Sequence, residues 1–241
     1  YTTIEHHEEG IHSLVTLYVD LEASIKFITI KLHNTSGRSR KLSATGYVEW
    51  VLGSQRPKSS FHVITELEGN TGALMARNPY NSEFSNRVTF LDVDDSKFEY
   101  TSDRTEFLGR HGTMRHPDAM TRVHLSGKTG ACLDPCAALR VEFELENNSE
   151  HTVTFRLGAA KDMREAIALI KRFEGTQPAI TALENVKTFW KKTLHAIEVE
   201  TPDQAINILV NGWLEYQILS SRLWGRTGLY QSGGAFGFRD Q

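Results

Sequence analysis

The residues best suited to chemistry stand at the carboxyl end of the 241-residue chain, where a glycine-rich segment (residues 233–237) precedes Arg239, Asp240 and Gln241. Glycines let the backbone bend and let another surface approach closely. The guanidinium, carboxylate and amide that follow supply donors and acceptors of the kind that bind sugar hydroxyls. An ordinary loop, in which Arg239 and Asp240 pair with each other, is the alternative interpretation of the same residues.

Aromatic residues surround this polar segment. Tyr230 and Phe238 stand directly beside it, so we expect their rings to stack on the face of a sugar. The aromatic residues at helical spacing from Trp213 to Trp224 are instead expected to belong to a core.

Several other kinds of chemistry find no support in the sequence. There is no G-x-S-x-G nucleophile elbow, and the glycine-rich segment lacks the lysine of a nucleotide P-loop. Cys132 and Cys136 come without further ligands at zinc-binding spacing, so we expect no metal. A net charge of −3 gives no basic surface for nucleic acid. Since no apolar run approaches the roughly 20 residues that cross a bilayer, we expect this stretch to make no membrane contact.

The first two thirds of the chain show short apolar runs separated by turn residues, which is typical of β-strands. A hairpin turn is expected at residues 34–38, between strands that begin near Ser24 and Arg40. The predicted strands are Ile11–Val19, Ser24–Leu32, Arg40–Leu52, Phe61–Leu67, Ala73–Arg77, Arg87–Leu91, Phe98–Ser102, Arg122–Leu125, Ala137–Leu145 and Thr152–Leu157. So many short strands predict a large antiparallel sandwich.

After Gly158 the apolar pattern changes to the helical period. Asp162 is expected to cap a first helix, and Pro178 to open a second. A third is expected at residues 201–204, with Thr201 as the N-cap and Pro202 at the first helical position. Its apolar face would continue into the terminal polar segment.

A loop is predicted from Arg104 to Ala131. It contains a basic cluster among glycines, made up of Arg104, Arg110, His111, Arg115, His116 and Arg122. A solvated surface connection is one interpretation. The functional interpretation is a loop that reaches a phosphate or a sugar, because guanidinium groups bind phosphate oxygens in a fork geometry.

Five segments, in this order along the chain, resemble glycoside hydrolase family 94, the cellobiose-phosphorylase type. They are similar in particular to the phosphorylase-like region of cyclic β-1,2-glucan synthases and to β-1,2-oligoglucan phosphorylases. The segments are YVEWVLG (47–53), ARNPYN (76–81), DRTEFLGR (103–110), LDPCAAL (133–139) and YQSGGAFGFRDQ (230–241).

The resemblance implies a mainly β fold. A large antiparallel β-supersandwich of the galactose-mutarotase-like kind is expected in residues 1–160, and a helical linker in residues 161–200. Residues 201–241 would then be the start of a truncated (α/α)6 catalytic barrel.

The resemblance also implies that the full-length parent cleaves a gluco-oligosaccharide or β-glucan by inverting phosphorolysis. Inorganic phosphate would be the co-substrate, with no cofactor. Because phosphate itself attacks the anomeric carbon, the reaction needs only one carboxylic acid from the protein. The resemblance implies that this acid lies beyond Gln241. We therefore expect no catalytic residue in this stretch, and we expect the isolated fragment to be inactive. A non-catalytic carbohydrate-binding or dimerisation module is the alternative, and the linkage preference stays open.

Roles for individual residues follow from the same resemblance. Arg239, Asp240 and Gln241, with the two flanking aromatics, would bind the non-reducing glucose. Candidates for phosphate are Arg226 and three loop arginines, Arg104, Arg110 and Arg115. A helix-end role is equally open for Arg226. The parent is expected to be a homodimer, either cytoplasmic or the cytoplasmic part of an inner-membrane synthase.

In the full-length parent we expect Arg239→Ala and Asp240→Asn each to lower turnover at least about tenfold, because charge-assisted hydrogen bonds contribute roughly 1.5 to 3 kcal/mol. Steady-state phosphorolysis rates would measure this loss, and circular dichroism would check that the variants fold. Unchanged kinetics in both variants would rule out the assigned role.

Overall fold

The computed structural model describes residues 1–195 and 198–220. The chain forms two compact units, which divide between Leu183 and Glu184. The strands of the first unit are β1 (Thr2–Glu8), β2 (Ile11–Val19), β3 (Ile25–Asn34), β4 (Arg40–Glu49), β5 (Ile64–Leu67), β6 (Leu74–Arg77), β7 (Val88–Val93), β8 (Glu99–Asp103), β9 (Pro135–Leu145) and β10 (Glu150–Ala160). The α-helices of the described chain are α1 (Arg56–Ser59), α2 (Arg104–Leu108), α3 (Met163–Arg172), α4 (Thr176–Leu194), α5 (Gln204–Ile208) and α6 (Leu214–Ile218).

The strands form two antiparallel sheets. Seven of them pair in the order β1-β2-β3-β10-β7-β6-β5, and three pair in the order β4-β9-β8. The predicted mainly β sandwich is confirmed. The hairpin between β3 and β4 was expected within one sheet, but β3 pairs with β2 and β10 whereas β4 pairs with β9. The chain therefore crosses between the sheets at this turn.

One core fills the space between the sheets, and the period-two alternation of the strands explains it. Leu74 and Leu91 contribute from the seven-stranded sheet, and Leu139 and Val141 from the smaller sheet. Phe155 lies between them, completely buried. A Cβ added at Gly46 of β4 would lie 2.5 Å from the Phe155 ring, so only glycine allows the sheets to approach this closely here.

A second core covers the other face of the seven-stranded sheet. Phe27 and Phe90, which alternate with the inter-sheet residues along their strands, pack there with Ala166 and Ile170 of α3. The predicted cap of α3 is confirmed, since Asp162 Oδ1 accepts from the N–H of Glu165 at 2.8 Å.

A buried ion pair fastens the end of α3 to this sheet. Arg156 Nη2 lies 2.7 Å from Asp92 Oδ2, and both side chains are at most 4% exposed. Arg156 also donates to the carbonyl of Phe173, just after α3. Asp94 accepts from the N–H of Gly175 at 3.1 Å, in the turn before α4. Burial raises the pKa of Asp92 to about 6, although the Arg156 charge opposes the rise.

The predicted strand at Arg122–Leu125 is wrong. These residues form an irregular segment, and the carbonyls of Arg122 and Val123 accept from the guanidinium of Arg140 instead of from a neighbouring strand. The predictions also missed β1 and the two short helices α1 and α2.

The predicted helices need two corrections. The second, α4, begins at Thr176, two residues before the predicted Pro178. The third is capped by Asp203 and not by Thr201: Asp203 Oδ1 accepts from the N–H of Ala205 at 2.9 Å. The Thr201 hydroxyl donates instead to the carbonyl of Asp203.

The helical run after this cap is also interrupted. Asn211 and Gly212 have non-helical backbone angles. The Asn211 side chain binds both the N–H and the carbonyl of Val199, each at 2.8 Å. An amide side chain that bonds to backbone in this way competes with the regular helix. None of the helices in the described part of the chain has the length and apolarity to cross a membrane.

We expect Arg156→Met to lower the free energy of unfolding by about 3 to 5 kcal/mol at pH 8, because the variant leaves Asp92 as an unpaired buried charge. The pKa of Asp92 is already above its usual value of 3.8 and rises further without the arginine. A raised carboxyl pKa favours folding at low pH and loses that contribution as pH rises, so the loss is smaller at pH 5.

Urea unfolding at both pH values measures this difference. The double variant Asp92→Asn/Arg156→Met is the control, since it has no carboxylate to titrate. An equal loss at pH 5 and pH 8 in the single variant would contradict the assigned ion pair.

Candidate functional site

Most of the predicted substrate-binding residues lie outside the described part of the chain. These are Arg226, Tyr230, Phe238, Arg239, Asp240 and Gln241. Their roles stay predictions. The three loop arginines are described, and the site is built from them.

Arg104 begins α2 and takes part in a ring of alternating charges. Its Nε lies 2.7 Å from Glu49 Oε1, and its Nη1 lies 3.3 Å from Asp134 Oδ2. Arg56 contacts the same two carboxylates, with Nη1 3.5 Å from Glu49 Oε2. Two guanidinium groups and two carboxylates thus neutralise each other at the end of the smaller sheet. We call these four residues the charge ring.

The charge ring brings together segments that are far apart in the sequence. Residues 47–53, 103–110 and 133–139 each contribute one member. The segment 76–81 joins them, since the Asn78 amide donates to the Leu52 carbonyl at 2.8 Å. Four of the five segments that carry the family resemblance are therefore in contact with one another.

The electrostatics of the charge ring keep Glu49 and Arg104 ionised. Burial favours the neutral form of Glu49, but hydrogen bonds from Arg104 and Tyr47 outweigh it and hold the pKa of Glu49 below its usual range. The hydrogen bond to Glu49 raises the pKa of Arg104. The phosphate-binding role of Arg104 stays a prediction, and in this structure its guanidinium is held by two carboxylates.

The loop from Gly109 to His124 leaves α2 and folds back on it. Gly109 ends the helix with a φ of 79°, and a Cβ there would lie 2.1 Å from Asp118 Oδ2. A Cβ at Gly112 would lie 1.6 Å from the Leu108 carbonyl oxygen. The first position needs glycine for its left-handed backbone, and both need it for the close approach.

A buried arginine holds the far side of this loop. Arg140, on β9, has a side chain that is only 4% exposed. Its guanidinium donates to the carbonyls of Ala119 at 3.0 Å, Arg122 at 2.9 Å and Val123 at 2.7 Å. It also forms an ion pair with Glu99. One side chain thereby bonds to three carbonyls within a five-residue stretch of the loop.

Glu99 fastens the loop a second time. Its Oε2 accepts from the N–H of Leu125 at 3.0 Å, and His124 hydrogen-bonds to its other oxygen. Burial favours the neutral acid, but the bonds from His124, Leu125 and Arg140 outweigh it and lower the pKa of Glu99. Glu99 therefore stays ionised near neutral pH, opposite the arginine.

Arg140 and Glu99 hold the base of the loop, and the loop exposes several cationic side chains, including Arg110, Arg115 and Arg122. Arg110 and Arg115 are exposed and form no ion pair with any residue that the structure describes. Among the described residues no group of histidine, cysteine, aspartate and glutamate is placed to hold a metal ion. The arrangement can present two guanidinium groups to an anion, on a loop that the smaller sheet positions.

Arg140 and Glu99 were not predicted from the sequence as functional residues. The available signal was an arginine inside the apolar run of β9, where a buried charge requires partners. Those partners are mostly backbone carbonyls, which carry no sequence signature.

A twisted antiparallel sandwich followed by helices is the class of fold that these units define, and comparison with known proteins makes it specific. Residues 1–176 match the sequence model of the glycosyl hydrolase 94 supersandwich domain, and residues 189–241 match that of the glycosyl hydrolase 94 superfamily catalytic domain. The chain belongs to the glycosyl hydrolase 94 family. The finer division at residues 160 and 200 stays a prediction.

Curated relatives agree with this family. Cyclic beta-(1,2)-glucan synthase NdvB of Rhizobium meliloti (strain 1021) is 38% identical over 235 residues, which are 97% of this chain and 8% of that protein. N,N'-diacetylchitobiose phosphorylase of Vibrio furnissii is 24% identical, over 96% of this chain and 30% of that protein. Solabiose phosphorylase of Paenibacillus borealis is 26% identical, over 100% of this chain and 31% of that protein. The chain thus spans less than a third of each of these relatives.

We expect Arg140→Gln to release the loop, because at least one charge-assisted hydrogen bond of about 1.5 kcal/mol is lost. Trypsin should then cleave after Arg115 or Arg122 at least about tenfold faster, since cleavage follows local opening. Glu142→Gln is the matched control, because Glu142 touches Arg140 only through an exposed contact of 3.4 Å. Equal cleavage of the two variants would show that Arg140 does not hold the loop.

Proposed function

We propose that the protein containing this chain acts on a β-glucan or gluco-oligosaccharide by inverting phosphorolysis, as a domain of the cyclic β-1,2-glucan synthase type. The observation that carries the proposal is that one chain matches both the supersandwich and the catalytic domain of glycosyl hydrolase 94. A purely non-catalytic binding or dimerisation module is not favoured, because such a module would not need the second match.

In the proposed reaction a phosphate oxygen attacks the anomeric carbon while the glycosidic carbon–oxygen bond breaks. The leaving oxygen takes a proton from a protein carboxylic acid, and the products are α-glucose 1-phosphate and a shortened glucan. Phosphate is the co-substrate, and no other cofactor is needed. The terminal residues Arg239, Asp240 and Gln241 would orient the non-reducing glucose through hydrogen bonds to its hydroxyls.

The loop that Arg140 holds would supply the phosphate-facing side. Arg110 and Arg115 are exposed and free of carboxylates within the described residues, so they can offer a fork of donors to phosphate. Arg104, the third candidate for phosphate, also joins the base of the loop to Glu49 and Asp134.

The assembly and location of the whole protein belong to the same proposal. In a homodimer this loop would complete the rim of the partner's reaction site. The protein would work in the cytoplasm, or as the cytoplasmic part of a membrane synthase, where inorganic phosphate is abundant.

The proposal is tested by incubating the full-length protein with β-1,2-glucan oligosaccharides and measuring glucose 1-phosphate with and without inorganic phosphate. We expect release only when phosphate is present. Release of free glucose without phosphate would indicate hydrolysis and contradict the proposal.

We expect Arg110→Gln/Arg115→Gln to raise the KM for phosphate at least about tenfold, since each hydrogen bond to a charged group contributes about 1.5 to 3 kcal/mol. The KM for the glucan should change much less. Initial rates at varied phosphate concentration give both constants. Arg164→Gln, an exposed arginine of α3, is the control. A change in the KM for the glucan alone would contradict the assignment of Arg110 and Arg115 to the phosphate site.

A further inference from the structure

A cavity of about 580 Å³ opens on the first unit beside the loop that joins β6 to β7. Its lining includes Asn81, Glu83, Phe84 and Arg87 from this loop, and Ser54 from the segment after β4. None of these residues has a part in the proposed phosphorolysis. The volume lies in the range of small-molecule sites.

Side-chain hydrogen bonds hold the loop beside the cavity in one shape. Asn81 Oδ1 accepts from the N–H of Glu83 at 3.1 Å and from that of Phe84 at 3.3 Å. Asn78 Oδ1 accepts from the N–H of Tyr80 at 3.1 Å, while its amide is fixed to the Leu52 carbonyl. A pre-formed loop loses little conformational entropy when it binds a ligand.

Two aromatic rings are exposed on this loop. Tyr80 is 75% exposed and stacks by one face on His62, with ring centroids 4.0 Å apart and an angle of 11° between the rings. Phe84 is 46% exposed and lines the cavity, with the Arg87 guanidinium 5.6 Å from its ring centroid. The stack fixes the direction of the Tyr80 ring and leaves its other face open, so it forms a flat apolar platform.

The chemistry of this surface suits a neutral polyhydroxylated ligand. Glu83 and Arg87 carry opposite charges, so the lining has no net charge to attract an ion. Their oxygens and nitrogens, with the Ser54 hydroxyl, offer donors and acceptors to hydroxyl groups. A β-linked glucose unit has equatorial hydroxyls around its edge and apolar C–H faces that stack on aromatic rings.

We propose that the cavity, together with Tyr80 and Phe84, is a glucan-binding site on the sandwich. It holds two or more β-linked glucose units, with sugar rings stacked on Tyr80 and Phe84 and hydroxyls bonded to Glu83 and Arg87. The choice of a glucan as the ligand rests on the proposed function. A peptide segment or a second copy of this chain is the competing occupant.

The test is calorimetric titration of the full-length protein with β-1,2-glucan oligosaccharides, in buffer without phosphate. Tyr80→Ala/Phe84→Ala should weaken binding at least about fivefold, because two stacking surfaces are lost. Phe61→Ala is the matched control. Both rings are 75% exposed, but Tyr80 stands in the loop directly before Asn81, which lines the cavity, whereas Phe61 lies outside this loop. Thermal unfolding checks that all variants fold.

A second variant keeps the proposal testable if Tyr80→Ala/Phe84→Ala does not fold. Ser54→Leu, at an exposed position, fills the cavity without removing an aromatic ring and should also weaken binding. Unchanged affinity in both variants, or no binding by the wild-type protein, would overturn the proposal. If the protein is a dimer that dissociates in the Tyr80→Ala/Phe84→Ala variant, the surface binds a second copy of the chain. That result would also overturn the proposal. Because binding is measured without phosphate, absence of phosphorolysis would refute the proposed function and leave this test valid.

Discussion

The guanidinium of Arg140 is the group on which the candidate site depends. A charge that is 4% exposed is tolerated only when nearly all of its donors are used. Here the donors go to one carboxylate and three carbonyls of a single loop. Few other contacts hold the loop in one conformation, because its glycines and exposed cations contribute little to a hydrophobic core. A buried strand residue therefore decides where Arg110 and Arg115 can be.

The same physical device recurs across the sandwich. Arg156 is buried with Asp92 beneath the end of α3, and the charge ring of Glu49, Arg56, Arg104 and Asp134 closes the end of the smaller sheet. In each place guanidinium groups join segments that lie far apart in the sequence. Breaking one partner of such a group leaves an uncompensated charge, so each acts as a local constraint on geometry more than as a source of net stability.

Much of the fold could be predicted from the sequence, because alternation in strands and capping at Asp162 are local signals. The assignment of β3 and β4 to different sheets could not, since a hairpin turn looks the same whether its strands pair or separate. The wrongly predicted strand at Arg122–Leu125 has a similar cause. The carbonyls of Arg122 and Val123 accept hydrogen bonds from Arg140, fifteen or more positions away, and not from a neighbouring strand. Thr201 does not cap the helix: its hydroxyl donates to the Asp203 carbonyl, while the Asp203 carboxylate accepts from the N–H of Ala205. Of the site, the cationic loop was visible in the sequence. Its anchors Arg140 and Glu99 were not, because Arg140 bonds mostly to backbone carbonyls and the two side chains meet only when β8 pairs with β9.

The central claim is that the anchored loop of residues 109–124 faces phosphate during phosphorolysis. Hydrogen exchange on the full-length protein measures this most directly, with β-1,2-glucan oligosaccharide present and inorganic phosphate either added or omitted. The account predicts slower amide exchange in residues 109–124 when phosphate is added, and no comparable change in β1 or β2. Exchange in that loop that is the same with and without phosphate would contradict the account.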